Sequence, residues 1–284
     1  MRIFLTISLL CLMRPLWAAD WSVEPVTFSS HGVTLSGSIV WPVKEEPQAA
    51  VVFVHGSGKQ ARSLALGQRF AAEGIAALVY DKRGAGASGG VYEGQQSVSE
   101  ANIRLLADDA LAAFRRLKAH PRAQQLPLGV TGISQAGWIV PLVAEQEPAV
   151  QFIALWSSPV CRVSEEDIFS QYTRDRDHAA IASYQEALAA RRTPYRWPDF
   201  LGEDMNPADS LATLAIPGLW VFGARDGSVP VDLSMQRLDA LIAAGRPYEY
   251  VTFSSAGHNN MAATFDTVGA WIRRQRQPHG LQGP

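Results

Sequence analysis

The sequence carries little with which to build covalent or metal-held structure. Of its 284 residues only two are cysteine, Cys11 and Cys161, and Cys11 falls in an N-terminal stretch that reads as a removable leader. Its loss would leave Cys161 alone, which excludes an intrachain disulfide in the processed chain and any metal site built on cysteines. Charge is scarce too. Lys and Arg number 25 against 27 Asp and Glu, a net charge of −2, and charged residues make up only 18% of the chain. Without a basic surplus, phosphate groups and nucleic acid are not expected partners. The N-terminal apolar run, Ile3 to Met13, is closed by Arg14 and Pro15. It falls short of the roughly 20 apolar residues that span a bilayer, so stable membrane insertion is not expected. Internal repeats and low-complexity tracts are absent as well.

What is present is an apolar content of 47%, enough for a large core. The chain is long for one average domain, and one core with an insertion is the expected organisation. Arg2, the apolar run, and Ala18 and Ala19 before Asp20 have the layout of a secretory signal peptide. Residues 1–19 are therefore expected to be cleaved near Ala18 or Ala19, with the protein exported to the periplasm or beyond.

After the leader, apolar periodicity alternates between strand and helix. Val23 to Ser29 and Val33 to Val40 read as a hairpin turned at His31-Gly32. Continuous apolar runs at Ala50 to Val54 and Ile75 to Tyr80 read as strands covered on both faces. Leu128 to Thr131, Phe152 to Trp156, Leu219 to Phe222 and Tyr248 to Phe253 continue the series. Helices are expected over Arg62 to Glu73, from a Ser97/Glu100 capping box to about His120, and over Gln135 to Glu145, Val231 to Ala243 and Met261 to Arg274. This alternation predicts an α/β fold, a mostly parallel sheet flanked by helices on both faces. Residues 157–216 interrupt it with a polar, helix-like stretch, read as an inserted helical cap between two core segments, 20–156 and 217–276. Tyr172, Tyr184, Tyr195 and Trp197 in this cap suggest an apolar substrate group. Arg174, Arg176 and Arg191 read as solvated charges in preference to a carboxylate site. Residues 277–284 form a polar tail.

The chemistry concentrates in a few loops. Gly132-Ile133-Ser134-Gln135-Ala136-Gly137 lies between a strand and a helix, and small residues two before and two after Ser134 are what a serine nucleophile on a sharp turn requires. His55-Gly56-Ser57-Gly58, after an earlier strand, can aim the Ser57 N–H at a developing oxyanion, with the Gln135 N–H as the second donor. His55 reads as a residue that orders this loop. Serine needs a base and the base an orienting acid. Asp226 in GARDGSVP and His258 in SSAGHNN each follow a strand, on the sheet edge that carries Ser134. A competing pattern, G-x-G-x-x-A at Gly56 to Ala61 with Asp81 after the next strand, is that of a dinucleotide site. A hairpin ahead of its first strand argues against it.

The segments VVFVHGSG, YDKRGAGASGG, GISQAGWIVPLVA, GARDGSVP and AGH, in this order, give the chain its family likeness. It resembles the α/β-hydrolases, and more narrowly the bacterial serine aminopeptidases and prolyl-oligopeptidase-like esterases. The resemblance implies the α/β-hydrolase fold, Ser134 as nucleophile, Asp226 as acid, His258 as base, and Ser57 and Gln135 as the oxyanion hole. It implies hydrolysis of a small-molecule ester, or alternatively of a peptide or aminoacyl amide, with no metal and no cofactor. By the same resemblance Asp81 and Arg83 fix the loop after their strand, and Trp138 packs.

Overall fold

A computed structural model describes residues 20–94, 97–178 and 182–275. The expected leader, 1–19, and tail, 277–284, lie outside the described residues. β1 (Trp21–Ser30) and β2 (Val33–Pro42) form the expected antiparallel hairpin, with His31 and Gly32 at φ 49° and 72° in its turn. β2 also pairs antiparallel with β4 (Ile75–Tyr80). β4 then pairs parallel with β3 (Ala49–Val54), and β5 (Leu128–Ile133), β6 (Phe152–Trp156), β7 (Gly218–Gly223) and β8 (Tyr248–Phe253) complete a parallel run. The order across the eight-stranded sheet is β1-β2-β4-β3-β5-β6-β7-β8.

Both faces of this sheet are covered, which is why its central strands carry unbroken apolar runs. Because strand side chains alternate, Val52, Val130 and Leu155 point to one face and Val51, Ala154 and Val221 to the other. The first face is packed by α2 (Glu100–Lys118), α3 (Ala136–Gln146) and α7 (Val231–Ala243) through Ile103, Phe114, Ile139, Val143 and Leu238. The second is packed by α1 (Leu64–Ala72) and α8 (Met261–Arg273) through Phe70, Phe265 and Trp271. Trp156 of β6 stacks on Phe265 with ring centroids 5.7 Å apart.

One expectation needs correction, and two further details refine the sequence reading. α2 is capped by Ser99, whose Oγ accepts from the Asn102 N–H at 3.2 Å, and not by a Ser97/Glu100 box. Ser97 contributes its carbonyl instead, to the side chains of Asn102 and Gln135. His120, just past α2, is held in place: its ring lies 4.7 Å from that of Trp41, and Nε2 is 2.9 Å from Glu24 Oε2. Finally, α1 begins at Leu64 on its Ser63 cap, six residues beyond Gly58. Gly56 to Gly58 therefore bring no helix N-terminus to a phosphate, which a dinucleotide loop must do.

Between β6 and β7, residues 157–216 hold α4 (Val163–Thr173), α5 (Tyr184–Ala189) and α6 (Pro207–Leu211). Trp138 of α3 anchors the start of this stretch, donating from Nε1 to the Cys161 carbonyl at 2.9 Å. Cys161 is buried and free, and burial pushes its thiol pKa well up.

Candidate active site

Strand register assembles the site. Val54 of β3 lies opposite Gly132 of β5, and Ile133 opposite Trp156 of β6, so the loop after β3 and the turn after β5 emerge side by side. Gly223 of β7 lies opposite Phe253 of β8, which does the same for the loops carrying Asp226 and His258.

Ser134 sits at the tip of the β5–α3 turn with φ 56°, a conformation that costs a non-glycine residue energy and is held here by close packing. A Cβ on Gly132 would come within 2.7 Å of the Val54 carbonyl, and one on Gly137 within 2.6 Å of the Pro159 carbonyl. Only glycine fits either place.

His258 joins the other two side chains. Its Nε2 is 3.0 Å from Ser134 Oγ, and its Nδ1 is 3.0 and 2.9 Å from the two Asp226 oxygens. A carboxylate only accepts, so Nδ1–H donates to Asp226 and the neutral ring leaves Nε2 free to accept the serine proton. The Asp226 side chain is fully buried, and Oδ1 also accepts from the Ser228 and Val229 N–H groups at 2.8 and 2.9 Å. Burial works against charging His258, but the hydrogen bond and charge of Asp226, joined by Asp177 and Asp175, outweigh it. The net result is a pKa above the ordinary histidine value.

Two backbone amides lie next to Ser134. A Cβ on Gly56 would lie 3.3 Å from Ser134 Cβ, so the Ser57 peptide borders the serine. Neither the Ser57 N–H nor the Gln135 N–H donates to any described residue. Ser134, His258, Ser57 and His55 open on a cavity of about 420 Å³ whose apolar wall is Phe53, Leu66, Val79, Ile133 and Met261. His55, only 4% exposed, is wedged edge-on between Phe53 and Tyr80, and burial lowers its pKa to about 4. It is a neutral spacer of the loop, as read from the sequence.

The wall of this cavity is drawn from the core of the fold. None of Tyr172, Tyr184, Tyr195 and Trp197 lines it. Tyr184 is buried beside Phe169, Tyr195 donates to Asp167, Trp197 donates to the Gly202 carbonyl, and Tyr172 is exposed. Arg174 and Arg176 are exposed, and Arg191 lies over the Tyr195 ring and donates to Gln171. The segment after α4 braces the site from outside instead. Asp177 Oδ1 accepts from the His258 N–H at 3.1 Å, the His178 N–H donates to the Arg225 carbonyl at 2.8 Å, and Thr173 Oγ1 donates to the Gly227 carbonyl.

Comparison with known proteins agrees with this architecture. Residues 45–174 match the family model described as serine aminopeptidase, S33. An esterase of Pyrococcus furiosus superposes with a TM-score of 0.63 at 16% identity, covering 90% of each chain. The acylaminoacyl peptidase of Pyrococcus horikoshii superposes at 0.67 and 16% identity, over 93% of this chain and 43% of that one. The chain has the α/β-hydrolase fold. A candidate carboxymethylenebutenolidase of Methylorubrum extorquens is 26% identical over 170 residues, 58% of this chain and 46% of that protein, so the match spans about half of the relative's length.

Within this fold, Asp81 and Arg83 hold the loop after β4. Asp81 accepts from the Arg62 and Ala87 N–H groups at 2.7 and 2.9 Å, and Arg83 makes a buried bidentate pair with Asp109 at 2.7 and 2.5 Å. Ser157, Asn260, Glu166 and Lys82 escaped the sequence reading. Ser157, at φ 42°, donates from Oγ to the His258 carbonyl at 2.6 Å and accepts from Asn260 Nδ2 at 2.9 Å, steadying the histidine loop. Burial and the charges of Asp175, Asp167 and Asp226 raise the Glu166 pKa to about 8. The fourth is Lys82. Only its place in YDKRGAGASGG marks it in the sequence, and its three contacts all lie far along the chain. Among the described residues no group of His, Cys, Asp and Glu is arranged to hold a metal ion, and no helix is long and apolar enough to cross a membrane.

Proposed function

We propose that the protein is a serine hydrolase that cleaves carboxylic esters of small, uncharged acids. The observation that carries this reading is the hydrogen-bonded line Ser134 Oγ, His258 and Asp226, opening on the cavity beside two unused amides. Ser134 Oγ attacks the ester carbonyl while His258 Nε2 takes its proton, and Asp226 holds the imidazole in one tautomer and stabilises its charge. The Ser57 and Gln135 N–H groups bind the oxyanion. His258 then protonates the departing alkoxide, leaving the acyl group on Ser134. Water, deprotonated by the same histidine, releases the acid and restores the serine. No cofactor enters any of these steps.

Ester is preferred to aminoacyl amide because, among the described residues, no Asp or Glu lines the cavity to receive a substrate ammonium. Its wall is mostly apolar, with Ser57, Gln60 and Ser63 as neutral polar groups. The amide reading is favoured by the serine aminopeptidase model and by the acylaminoacyl peptidase neighbour. Kinetics on p-nitrophenyl esters of graded acyl length beside alanine p-nitroanilide separate the two. Short esters are expected to give the highest kcat/KM, and faster cleavage of the anilide would overturn the ester assignment.

The reading extends to location, with residues 1–19 acting as an export signal. An N-terminus near Asp20 on protein recovered outside the cytoplasm supports it, and an intact Met1 on that protein contradicts it.

A further inference from the structure

We propose that Lys82 is the positioning residue of the oxyanion hole, its ammonium holding both the Ser57 peptide and Gln135 in the orientation that presents their N–H groups to the substrate. The inference rests on the serine hydrolase reading above. Lys82 is 2% exposed, and its Nζ lies 2.8 Å from the Gly56 carbonyl, 3.3 Å from the Gly58 carbonyl and 2.9 Å from Gln135 Oε1. An ammonium has three donors and no acceptor, so these three partners use it completely.

The geometry of the peptide bond turns this contact into a functional one. The Gly56 carbonyl and the Ser57 N–H belong to one planar trans unit, in which C=O and N–H point to opposite sides. Fixing the carbonyl on Lys82 therefore aims the N–H away from it, toward Ser134. The second donor is set from its side chain, since Gln135 is held at Oε1 by Lys82 while its Nε2 donates to the Ser97 carbonyl at 2.7 Å. A cation on the far oxygen also polarises the Gly56–Ser57 amide, which strengthens its N–H as a donor in a buried setting.

Among the described residues, the groups facing Lys82 leave it without an anionic partner. His55 across the β3 loop is neutral, the Tyr92 ring centroid is 5.4 Å from Nζ, and Gln135 is uncharged. On its own loop, Asp81 is taken up by the Arg62 and Ala87 amides and Arg83 by Asp109. Burial accordingly lowers the Lys82 pKa to about 8. The fold keeps a charge here against a desolvation penalty, although an apolar side chain of the same length would fill the space without one.

The test compares wild type, Lys82→Met and Lys82→Gln on p-nitrophenyl acetate, each corrected for its folded fraction by circular dichroism. Lys82→Met is expected to lower kcat on the order of 10²-fold with KM changed less than threefold, as loss of oxyanion stabilisation does. Lys82→Gln, whose amide keeps two N–H donors without the charge, is expected to fall between. Wild-type kcat is expected to decline above about pH 8 with KM unchanged, a readout that holds even if neither variant folds. A kcat within threefold of wild type for Lys82→Met, or a wild-type kcat that stays flat from about pH 7 to 9.5, overturns the proposal. Failure of the underlying reading looks different: wild type would then be inactive on every ester, or Ser134→Ala would be as active as wild type.

Discussion

Gly132 and Ala136 share a single space: a Cβ built on Gly132 would lie 2.5 Å from the Cβ of Ala136. The turn around Ser134 admits one methyl at this point and the chain has placed it on the helix side, which is why alanine is tolerated where glycine is the commoner choice. Gly132→Ala is expected to displace the turn and to abolish ester hydrolysis or soluble expression. Ala136→Gly removes a methyl without a clash, and is expected to keep kcat within about threefold while costing about 1 kcal/mol of stability by chemical denaturation. The reverse ranking of the two would contradict this packing.

Asp177 touches the backbone of His258 and adds to the field that keeps the imidazole protonatable. Asp226 supplies most of the upward pull, so Asp177→Asn is expected to shift the histidine without disabling it. The base must be neutral to act, and loss of an anion lowers its pKa, so the acid limb of the kcat/KM profile is expected to move to lower pH. Kinetics from about pH 4.5 to 8 read this directly. A limb that stays in place or moves upward would remove Asp177 from the site's electrostatics.

His55 links the site to stability. Its folded pKa of about 4 lies below the ordinary 6.5, so between these values the unfolded chain binds the extra proton. The stabilising contribution is complete above about pH 6.5 and is lost as pH falls toward 4, by up to about 3 kcal/mol. Urea unfolding across this window is expected to show that slope, and His55→Gln to flatten it.

The Arg83–Asp109 pair is buried on both sides, with side-chain exposures of 6% and 1%. Asp109→Ala would leave the guanidinium unpaired in the interior, and a loss of about 3–5 kcal/mol is expected in urea unfolding. A loss below about 1 kcal/mol would show that the loop after β4 is held by Asp81 alone.

The parts legible in the sequence are those fixed by near neighbours. Ser134 and Asp226 each follow an apolar run that folds as a buried strand, His258 follows the alternating edge strand β8, and the small residues flanking the serine mark its turn. Phe152–Trp156, Val231–Ala243 and Tyr248–Phe253 could be bounded for the same reason. The Ser97/Glu100 spacing misled because Ser99 can cap equally well, and the choice was made by Asn102 and Gln135 taking the Ser97 carbonyl. The aromatics of 157–216 misled because only the folded chain shows that they pack within their own segment. Lys82 and Asp177 act through partners 24 to 53 and 81 residues away, respectively, contacts that no local pattern encodes.

The proposed chemistry stands or falls on the Ser134 hydroxyl, which geometry brings to 3.0 Å from His258 Nε2. The direct measurement is hydrolysis of p-nitrophenyl acetate together with fluorophosphonate labelling, on wild type and Ser134→Ala side by side. Wild type is expected to turn over the ester and take up one label at Ser134, while Ser134→Ala loses the label and on the order of 10⁴-fold or more of kcat. Undiminished turnover or labelling in the variant would contradict the assignment.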